Sequence, residues 1–280
     1  MIWTCPNCRQ SLTATGPRQL SCATGHTFDR AKQGYVNLLL EQHKKSKTPG
    51  DDDLMLHARR RFLEAGYYER LVQTLSSQIP TAAVILDLGC GEGYYLAQLL
   101  KVHPQVQGFG VDIAKTGVRL AAAKYTQNID FAVASTYRLP IKDNSVDVAL
   151  SIFSPFGDQD VARVLKSGGQ VIRVGPGPCH LQEIKTELYT HAKQHEAPEQ
   201  SKWFKQNQLE RVTWVSSIER DVLNNDLIPM TPLQYQGSII GKERLIALES
   251  LDVTFDFYIQ FLYALEFQPL FNLKNQVEHL

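Results

Sequence analysis

Asp87-Leu-Gly-Cys-Gly-Glu-Gly93 is the stretch that decides the fold, because an apolar run, Ala83–Leu88, leads into it and a helical pattern, Gly93–Val102, leads out of it. Glycine lets the backbone turn tightly and approach a ligand closely, and the N-terminus of the following helix presents free N–H groups. A glycine cluster alone is also typical of an ordinary strand-to-helix turn. We predict that this loop binds a cofactor through Gly89, Gly91 and Gly93, with Asp87 at its mouth.

The end of the next predicted strand indicates which cofactor fits. Asp112 ends that strand 19 residues beyond Gly93, where an acid accepts hydrogen bonds from the ribose hydroxyls of an adenosine-type cofactor. The dinucleotide fingerprint requires glycine at its sixth position, which here is Tyr94. The carboxylate of Asp87 repels a pyrophosphate and suits a ligand that carries a sulfonium and an ammonium. These residues favour S-adenosylmethionine over a nicotinamide dinucleotide.

Strand and helix patterns alternate along most of the chain, which predicts an α/β fold with a doubly wound, mostly parallel sheet. The predicted strands are Ala83–Leu88, Gly108–Asp112, Phe131–Ala134, Val146–Phe153 and Gln170–Gly175, and the helices between them are Gly93–Val102, Lys115–Tyr125 and Asp158–Leu165. Outside this core the patterns predict helix over Leu54–Ile79 with a break at Gly66, helix near His180–Gln194, strand near Arg211–Ser217, a helical region between Asp221 and Leu251, and strand at Val253–Tyr263.

Two close pairs of metal-ligand residues lie near the N-terminus. Cys5-Pro-Asn-Cys8 and Cys22-Ala-Thr-Gly-His26 have the spacing at which two turns each supply half of a zinc tetrahedron. Four protein ligands close the site, so the ion is structural rather than catalytic. The alternative, a redox pair of Cys5 and Cys8, leaves Cys22 and His26 unexplained. We predict one structural Zn²⁺ held by Cys5, Cys8, Cys22 and His26.

Composition bounds the class of protein. The 280 residues are 43% hydrophobic and carry no formal net charge, which is typical of a globular protein. Residues 1–62 hold ten Lys/Arg against five Asp/Glu, which indicates a nucleic-acid-facing front end or, equally, a solvated small domain. No secretory leader or bilayer-length apolar run is present, so we expect a cytoplasmic protein with reduced thiols and no membrane contact.

The predicted divisions are a zinc module at 1–40, a linker and helical segment at 41–80, and a cofactor domain at 81–280.

Several motifs resemble those of known enzymes. The glycine loop with its distant acid resembles the class I methyltransferase signature, as do Arg138-Leu-Pro140, Asn144-Ser-Val-Asp147 and Lys166-Ser-Gly-Gly169. Over nearly its whole length the chain resembles the RlmA family of 23S rRNA guanine-N1 methyltransferases. That resemblance rests on Cys5-Pro-x-Cys8, Cys22…His26-x-Phe28-Asp29, the run from Ala31 to Leu39, Gln42-His43-Lys44, Pro49-Gly50-Asp51, Ala58-Arg59-Arg60-x-Phe62-Leu63, Gly66-Tyr67-Tyr68, Asp87 to Tyr95, and Pro176-Gly177-Pro178-x-His180-Leu181.

The resemblance implies a zinc module that grips RNA, a domain that holds S-adenosylmethionine, and a homodimer whose cleft receives a hairpin of 23S rRNA. It also implies cofactor contacts from Tyr68, Gly91, Glu92 and His180. The residues by themselves favour ordinary packing for Tyr68 and His180. Cys179 departs from the arginine usual at that position of the family, which weakens any RNA contact from this turn.

The acceptor side is less defined by sequence, and no catalytic residue is assigned. The Ser154-Pro155-Phe156 segment lies where class I enzymes place acceptor contacts, so Phe156 either stacks on an extruded base or closes the sheet edge. The basic runs Lys44–Lys47 and Arg59–Arg61 are predicted to contact phosphates. The alternative functions are a small-molecule methyltransferase with a structural zinc module, and a zinc RNA-binding protein without activity.

Overall fold

The computed structural model describes residues 1–43, 52–199 and 201–265, and an eight-stranded sheet forms its centre. The strands are β1 (Thr13–Gly16), β2 (Gln19–Ser21), β3 (Thr27–Asp29), β4 (Val36–Asn37), β5 (Val84–Leu88), β6 (Gln107–Asp112), β7 (Ile129–Val133), β8 (Val146–Ile152), β9 (Leu165–Pro176), β10 (Phe204–Glu219) and β11 (Ser250–Ala264). The helices are α1 (Asp53–Glu64), α2 (Glu69–Ser76), α3 (Tyr94–Val102), α4 (Lys115–Lys124), α5 (Asp158–Val164), α6 (Gln182–Leu188), α7 (Arg220–Val222) and α8 (Ile239–Ala247). Short 3₁₀ turns at Glu41–His43 and Pro232–Tyr235 and a π-helical turn at Leu223–Leu227 complete the set.

The strand order β4-β7-β6-β5-β8-β9-β11-β10 confirms the predicted doubly wound, mostly parallel sheet. Pairing is parallel from β4 to β9, and β11 is antiparallel to both of its neighbours. The chain winds outward from β5 through β6 to β7 and then returns to β8 on the other side of β5. Ligands bind at such a switch point, beyond the carboxyl ends of the strands.

Two apolar layers cover the two faces of the sheet, as the alternation within β5 requires. Ile85 belongs to one layer with residues from α1 to α4, α6 and α8, whereas Leu86 and Leu88 belong to the other. That second layer is built by α5 and by the N-terminal module. The predicted break at Gly66, whose φ is +87°, separates α1 from α2 as expected. Among the described residues, no helix combines the length and the apolar character that crossing a bilayer requires.

The N-terminal module is fastened to the outer edge of the large sheet. Its three-stranded sheet, β1-β2-β3, is followed by β4, which pairs in parallel with β7. Trp3 is fully buried, meets Phe109 edge-to-face at 5.4 Å, and donates from Nε1 to Asp130 at 2.8 Å. Arg30 binds the same carboxylate through two nitrogens at 2.7 Å each. The sequence did not predict β4, because two residues carry too little pattern.

The C-terminal third differs in detail from the prediction. The predicted strand Arg211–Ser217 is the middle of the 16-residue β10, which forms a long hairpin with β11. The helix predicted near His180–Gln194 ends at Leu188, and the carbonyl of Leu188 accepts the N–H of Ser238, ahead of α8, in place of a helical partner. The predicted helical region between Asp221 and Leu251 is divided into separate turns and α8.

Candidate cofactor and metal sites

The glycine loop occupies the carboxyl end of β5 at the switch point. Gly89, Gly91 and Gly93 all have positive φ, at +75°, +53° and +80°, a conformation that side chains rarely adopt. A Cβ on Gly89 would also lie 2.0 Å from Oγ of Ser154, which follows β8. Gly93 precedes α3 and serves as its N-cap. The loop therefore needs glycine for its backbone and, at Gly89, for the close approach of the neighbouring segment.

Asp112 fixes this loop from the end of β6. One carboxylate oxygen accepts the N–H of Gly91 at 2.8 Å, and the other accepts the N–H of Ala114 at 2.7 Å. The carboxylate is half-buried. The acid predicted at the end of the second core strand thus lies beside the glycine loop and holds it.

Two further acids lie buried around the loop. Asp87 is 3% exposed and Glu92 is 5% exposed. Burial, and then the charges of Asp112 and Glu92, raise the pKa of Asp87 to about 8. Three carboxyl groups close together in a buried place disfavour an anionic ligand and favour a cationic one.

The predicted zinc ligands meet in the N-terminal module, where the segment before β1 faces the turn between β2 and β3. The ligand atoms of Cys5, Cys8, Cys22 and His26 all lie within 4.8 Å of one another. The Sγ atoms of Cys8 and Cys22 are 3.6 Å apart, and Sγ of Cys22 is 3.4 Å from Nδ1 of His26. Ligands at about 2–2.3 Å around a tetrahedral Zn²⁺ have roughly these separations. The donor set therefore fits one zinc ion, which His26 would bind through Nδ1.

The surroundings of Cys8 and Cys22 lower the pKa of both thiols, first through hydrogen bonding to Thr24, and so favour the form that binds a metal. The Thr24 hydroxyl lies 3.0 Å from Sγ of both Cys8 and Cys22. Hydrogen bonding to Thr24 and then to His26 lowers the pKa of Cys22 to about 5. A thiolate is the form that binds zinc.

Comparison with known proteins agrees with both sites. Residues 3–47 match the family described as RlmA, N-terminal, and residues 85–175 match the family described as methyltransferase domain. A Bacillus subtilis (strain 168) protein, YxjB, named as a candidate 23S rRNA (guanine-N(1)-)-methyltransferase, is 31% identical over 271 residues, which cover 91% of this chain and 94% of that protein. This chain belongs to the 23S rRNA (guanine-N1)-methyltransferase family.

Two other members of the family are shorter matches. The 23S rRNA (guanine(748)-N(1))-methyltransferase of Streptomyces fradiae is 35% identical over 191 residues, about two thirds (66%) of each chain. A Micromonospora griseorubida protein with a candidate 23S rRNA (guanine-N(1)-)-methyltransferase name is 34% identical over 206 residues, which cover 66% of this chain and 68% of that protein. The resemblance drawn from the motifs, the class I methyltransferase fold and the zinc ribbon are thereby confirmed.

The two aromatic residues that the family implies as cofactor contacts are both buried. Tyr68 is 2% exposed and packs edge-on against Phe255 and Phe257, and its burial raises its pKa. His180 is 8% exposed, and its ring lies 4.7 Å from that of Phe257. Both residues therefore pack in one aromatic cluster around Phe255 and Phe257 of β11. Their contact with the cofactor stays a prediction.

His180 is also held in one protonation state and one tautomer. Its Nδ1 accepts the N–H of Asp256 at 3.3 Å. Burial, and then the neighbouring charges of His195 and Lys185, lower the pKa of His180 to about 3. The ring is thus neutral at physiological pH, and its remaining proton is carried by Nε2.

A buried acid that the sequence analysis missed organises the Pro176–His180 turn of this methyltransferase. Asp256 is fully buried and accepts from two nitrogens of Arg211, from Thr213 and from the N–H of Cys179, each at 2.8 Å. Burial opposes its charge, but these hydrogen bonds lower the pKa of Asp256 on balance. The available signal was a carboxylate inside the apolar strand Val253–Tyr263, which needs a buried partner.

The residues predicted to contact phosphates have different surroundings in the structure. Arg60 pairs with Glu64 at 2.7 Å, and Arg61 pairs with Asp226 at 2.6 Å; both arginine side chains remain partly exposed, and their contact with phosphates stays a prediction. Arg59 donates to the carbonyl of Met230 at 3.3 Å and lies near Gly91. The other predicted run, Lys44–Lys47, lies outside the described residues.

Phe156 packs against two strands of the sheet, β9 and β10. The ring is half-buried, 6.4 Å from that of Phe204 and within 5.9 Å of the Arg173 guanidinium. This packing gives the ring a structural role beside the sheet.

Proposed function

We propose that this protein transfers a methyl group from S-adenosylmethionine to N1 of one guanine in a hairpin of 23S rRNA. The observation that carries the proposal is the combination of a glycine loop held by Asp112 with a four-ligand ribbon fastened to the same sheet. A relative with a 23S rRNA guanine-N1 methyltransferase name is similar over 91% of this chain. The cofactor loop and the ribbon each fit the ligand assigned to them.

The residues around the loop fit the proposed cofactor. S-adenosylmethionine, when bound, supplies a methyl group on a positively charged sulfur, a centre open to attack by a nucleophile. Asp112 would accept from ribose hydroxyls, and Asp87 with Glu92 would favour the positive charges of the sulfonium and the ammonium. The backbone of Gly89, Gly91 and Gly93 would allow close approach of the ligand. Tyr68 and His180 would close the pocket from the aromatic cluster.

The chain contributes mainly alignment and exclusion of water, because the leaving group of the reaction is a good one. The N1 proton of guanine is weakly acidic and has to leave before or during attack. A neutral His180 that carries its proton on Nε2 is suited to donate a hydrogen bond, not to accept that proton.

RNA binding is proposed for the zinc ribbon. Zinc on its four ligands would give the ribbon a fixed shape, and Arg18, which is exposed between β1 and β2, can face a phosphate backbone. We further propose a cytoplasmic homodimer whose cleft receives the hairpin, on the basis of the family resemblance.

The test is methyl transfer to defined acceptors. Purified protein loaded with zinc is incubated with radiolabelled S-adenosylmethionine and either unmodified 23S rRNA or a pool of small metabolites. A methyl group on N1 blocks the base-pairing edge, so reverse transcription should stop beside one guanine of the rRNA. Label transferred only to metabolites would overturn the proposal in favour of a small-molecule methyltransferase.

A further inference from the structure

Phe153 lies at the carboxyl end of β8, the strand next to the one that leads into the glycine loop. It follows β8 directly, at the switch point and on the same edge of the sheet as the glycine loop. The next residue, Ser154, is the one that a Cβ on Gly89 would strike. Phe153 is therefore adjacent to the segment that borders the cofactor loop.

The backbone of Phe153 is held in an unusual conformation. Its φ is +56°, which a bulky residue other than glycine rarely adopts. Its N–H donates to the carbonyl of Val174 at 3.0 Å, and the Ser151 hydroxyl donates to the carbonyl of Ser154 at 2.6 Å. Such strain persists only where the surroundings enforce it, and it concentrates at functional sites.

Phe153 is 45% exposed, and its ring contacts two aromatic side chains of the protein. It stacks on the imidazole of His180 at 6.1 Å with 28° between the planes, and it contacts Phe257 at 5.6 Å. His180 is in turn fixed by its hydrogen bond from Asp256. The ring is thus supported from behind by a rigid aromatic group.

We propose that Phe153 is the platform on which the extruded acceptor purine stacks. This inference rests on the proposed function and names the residue that positions its substrate. Enzymes that modify a base bring it out of its stack and hold it against aromatic side chains. An exposed phenyl ring offers such a face beside the cofactor loop, whereas Phe156 is packed against Phe204 and Arg173.

The test uses a fluorescent purine in place of the acceptor. The wild-type enzyme is first used to locate the methylated guanine, and failure at this step would count against the proposed function alone. A hairpin with 2-aminopurine at that position is then bound to wild type, Phe153→Leu, Phe153→Tyr and the matched control Phe156→Leu. Because stacking quenches this fluorophore, the complex with Phe153→Leu should be brighter than those with wild type, Phe153→Tyr and Phe156→Leu.

Kinetics give a second readout. Loss of one stacked base should lower kcat/KM for RNA in Phe153→Leu by roughly 5- to 150-fold, with retention of activity in Phe153→Tyr. The affinity for S-adenosylmethionine, measured by calorimetry, should fall much less than kcat/KM for RNA, because the ring is assigned to the acceptor and reaches the proposed cofactor pocket only through His180. If Phe153→Leu does not fold, Phe153→Gly, which suits the left-handed backbone, takes its place.

Three results would overturn the inference. If Phe153→Leu had the same fluorescence and the same kcat/KM as wild type, no base would stack on this ring. A loss of quenching in Phe156→Leu alone would move the platform to that residue. A large loss of cofactor affinity in Phe153→Leu would place the ring in the cofactor pocket instead.

Discussion

The zinc ribbon and the glycine loop are both short and rich in turns, but different forces hold them. Beneath the glycine loop, Ile85, Leu86 and Leu88 of β5 are fully buried between two apolar layers. In the ribbon, all four residues of β1 are exposed, and four ligand atoms lie close together in its turns. A loop on a packed core keeps its shape by burial, whereas turns that converge on four metal ligands depend on their metal. Loss of the metal should therefore affect the ribbon far more than the cofactor loop.

Metal removal should produce the largest effect, and it should separate the loss of rRNA methylation from any change in cofactor binding. Chelation of zinc, or Cys22→Ser, should disorder the ribbon and lower rRNA methylation by at least about 100-fold, because structural zinc supplies much of the folding free energy of such modules. Cofactor affinity should change by less than about three-fold, since the loop is held elsewhere. Metal content, methyl transfer and calorimetry measure the three quantities. Cys179→Ser, outside the metal cluster, is the control; equal activity with and without zinc would contradict the comparison.

Trp3 tests the attachment between the two regions. The Trp3→Ala change should lower the free energy of unfolding by about 3–5 kcal/mol, because it removes a fully buried indole. Trp3→Phe keeps an aromatic ring and loses the hydrogen bond to Asp130, which should cost about 1 kcal/mol. Urea unfolding of both variants gives the difference. Equal stability of Trp3→Ala and wild type would mean that the module does not pack on the sheet.

Asp112 tests the cofactor loop by itself. Asp112→Ala should weaken S-adenosylmethionine binding by roughly 10- to 100-fold, since it removes the proposed ribose acceptor and the support of two backbone N–H groups. Asp112→Asn, which keeps one carbonyl oxygen as an acceptor, should lose less. Calorimetry measures both, with Asp143→Ala, an exposed acid ahead of β8, as the control. Retention of zinc by Asp112→Ala would show that the ribbon does not depend on the loop.

The smallest effect concerns one proton at Asp87. With a pKa of about 8, this carboxyl is mostly protonated at pH 7 in the free protein. Binding of a cation lowers that pKa, so cofactor binding at pH 7 should release up to one proton, and the release should vanish well above pH 8. Calorimetry in two buffers that differ in ionisation enthalpy counts the protons. Asp87→Asn should release none, and identical enthalpies for wild type in both buffers would refute this prediction.

The parts that the sequence predicted are those whose signal is local. β5, β6 and the glycine loop follow from short periodic runs and from residue types that a few neighbours determine. The four zinc ligands follow from spacing alone. The attachment of Trp3 to Asp130 and the burial of Asp256 beneath Arg211 join segments far apart in the chain, so no local pattern announces them.

The lack of a local sequence signal also explains why the acceptor-side residue was not predicted. The sequence drew attention to Phe156 through its place in the Ser154-Pro155-Phe156 segment, but exposure and packing are properties of the fold. Phe204, which packs on Phe156, belongs to a strand whose length was underestimated. Phe153, one residue before the segment, is distinguished by a backbone conformation that only the structure reveals.

The pairing of β4 with β7 bears on how this enzyme can be engineered. Deletion of the first 40 residues would leave β7 as a bare edge and would uncover Phe109 on the face where Trp3 now sits, and such edges promote aggregation. A chimera that receives the zinc ribbon of a relative would need its β4 and its buried indole along with the metal ligands. The sheet of the recipient would need a pocket that matches that indole.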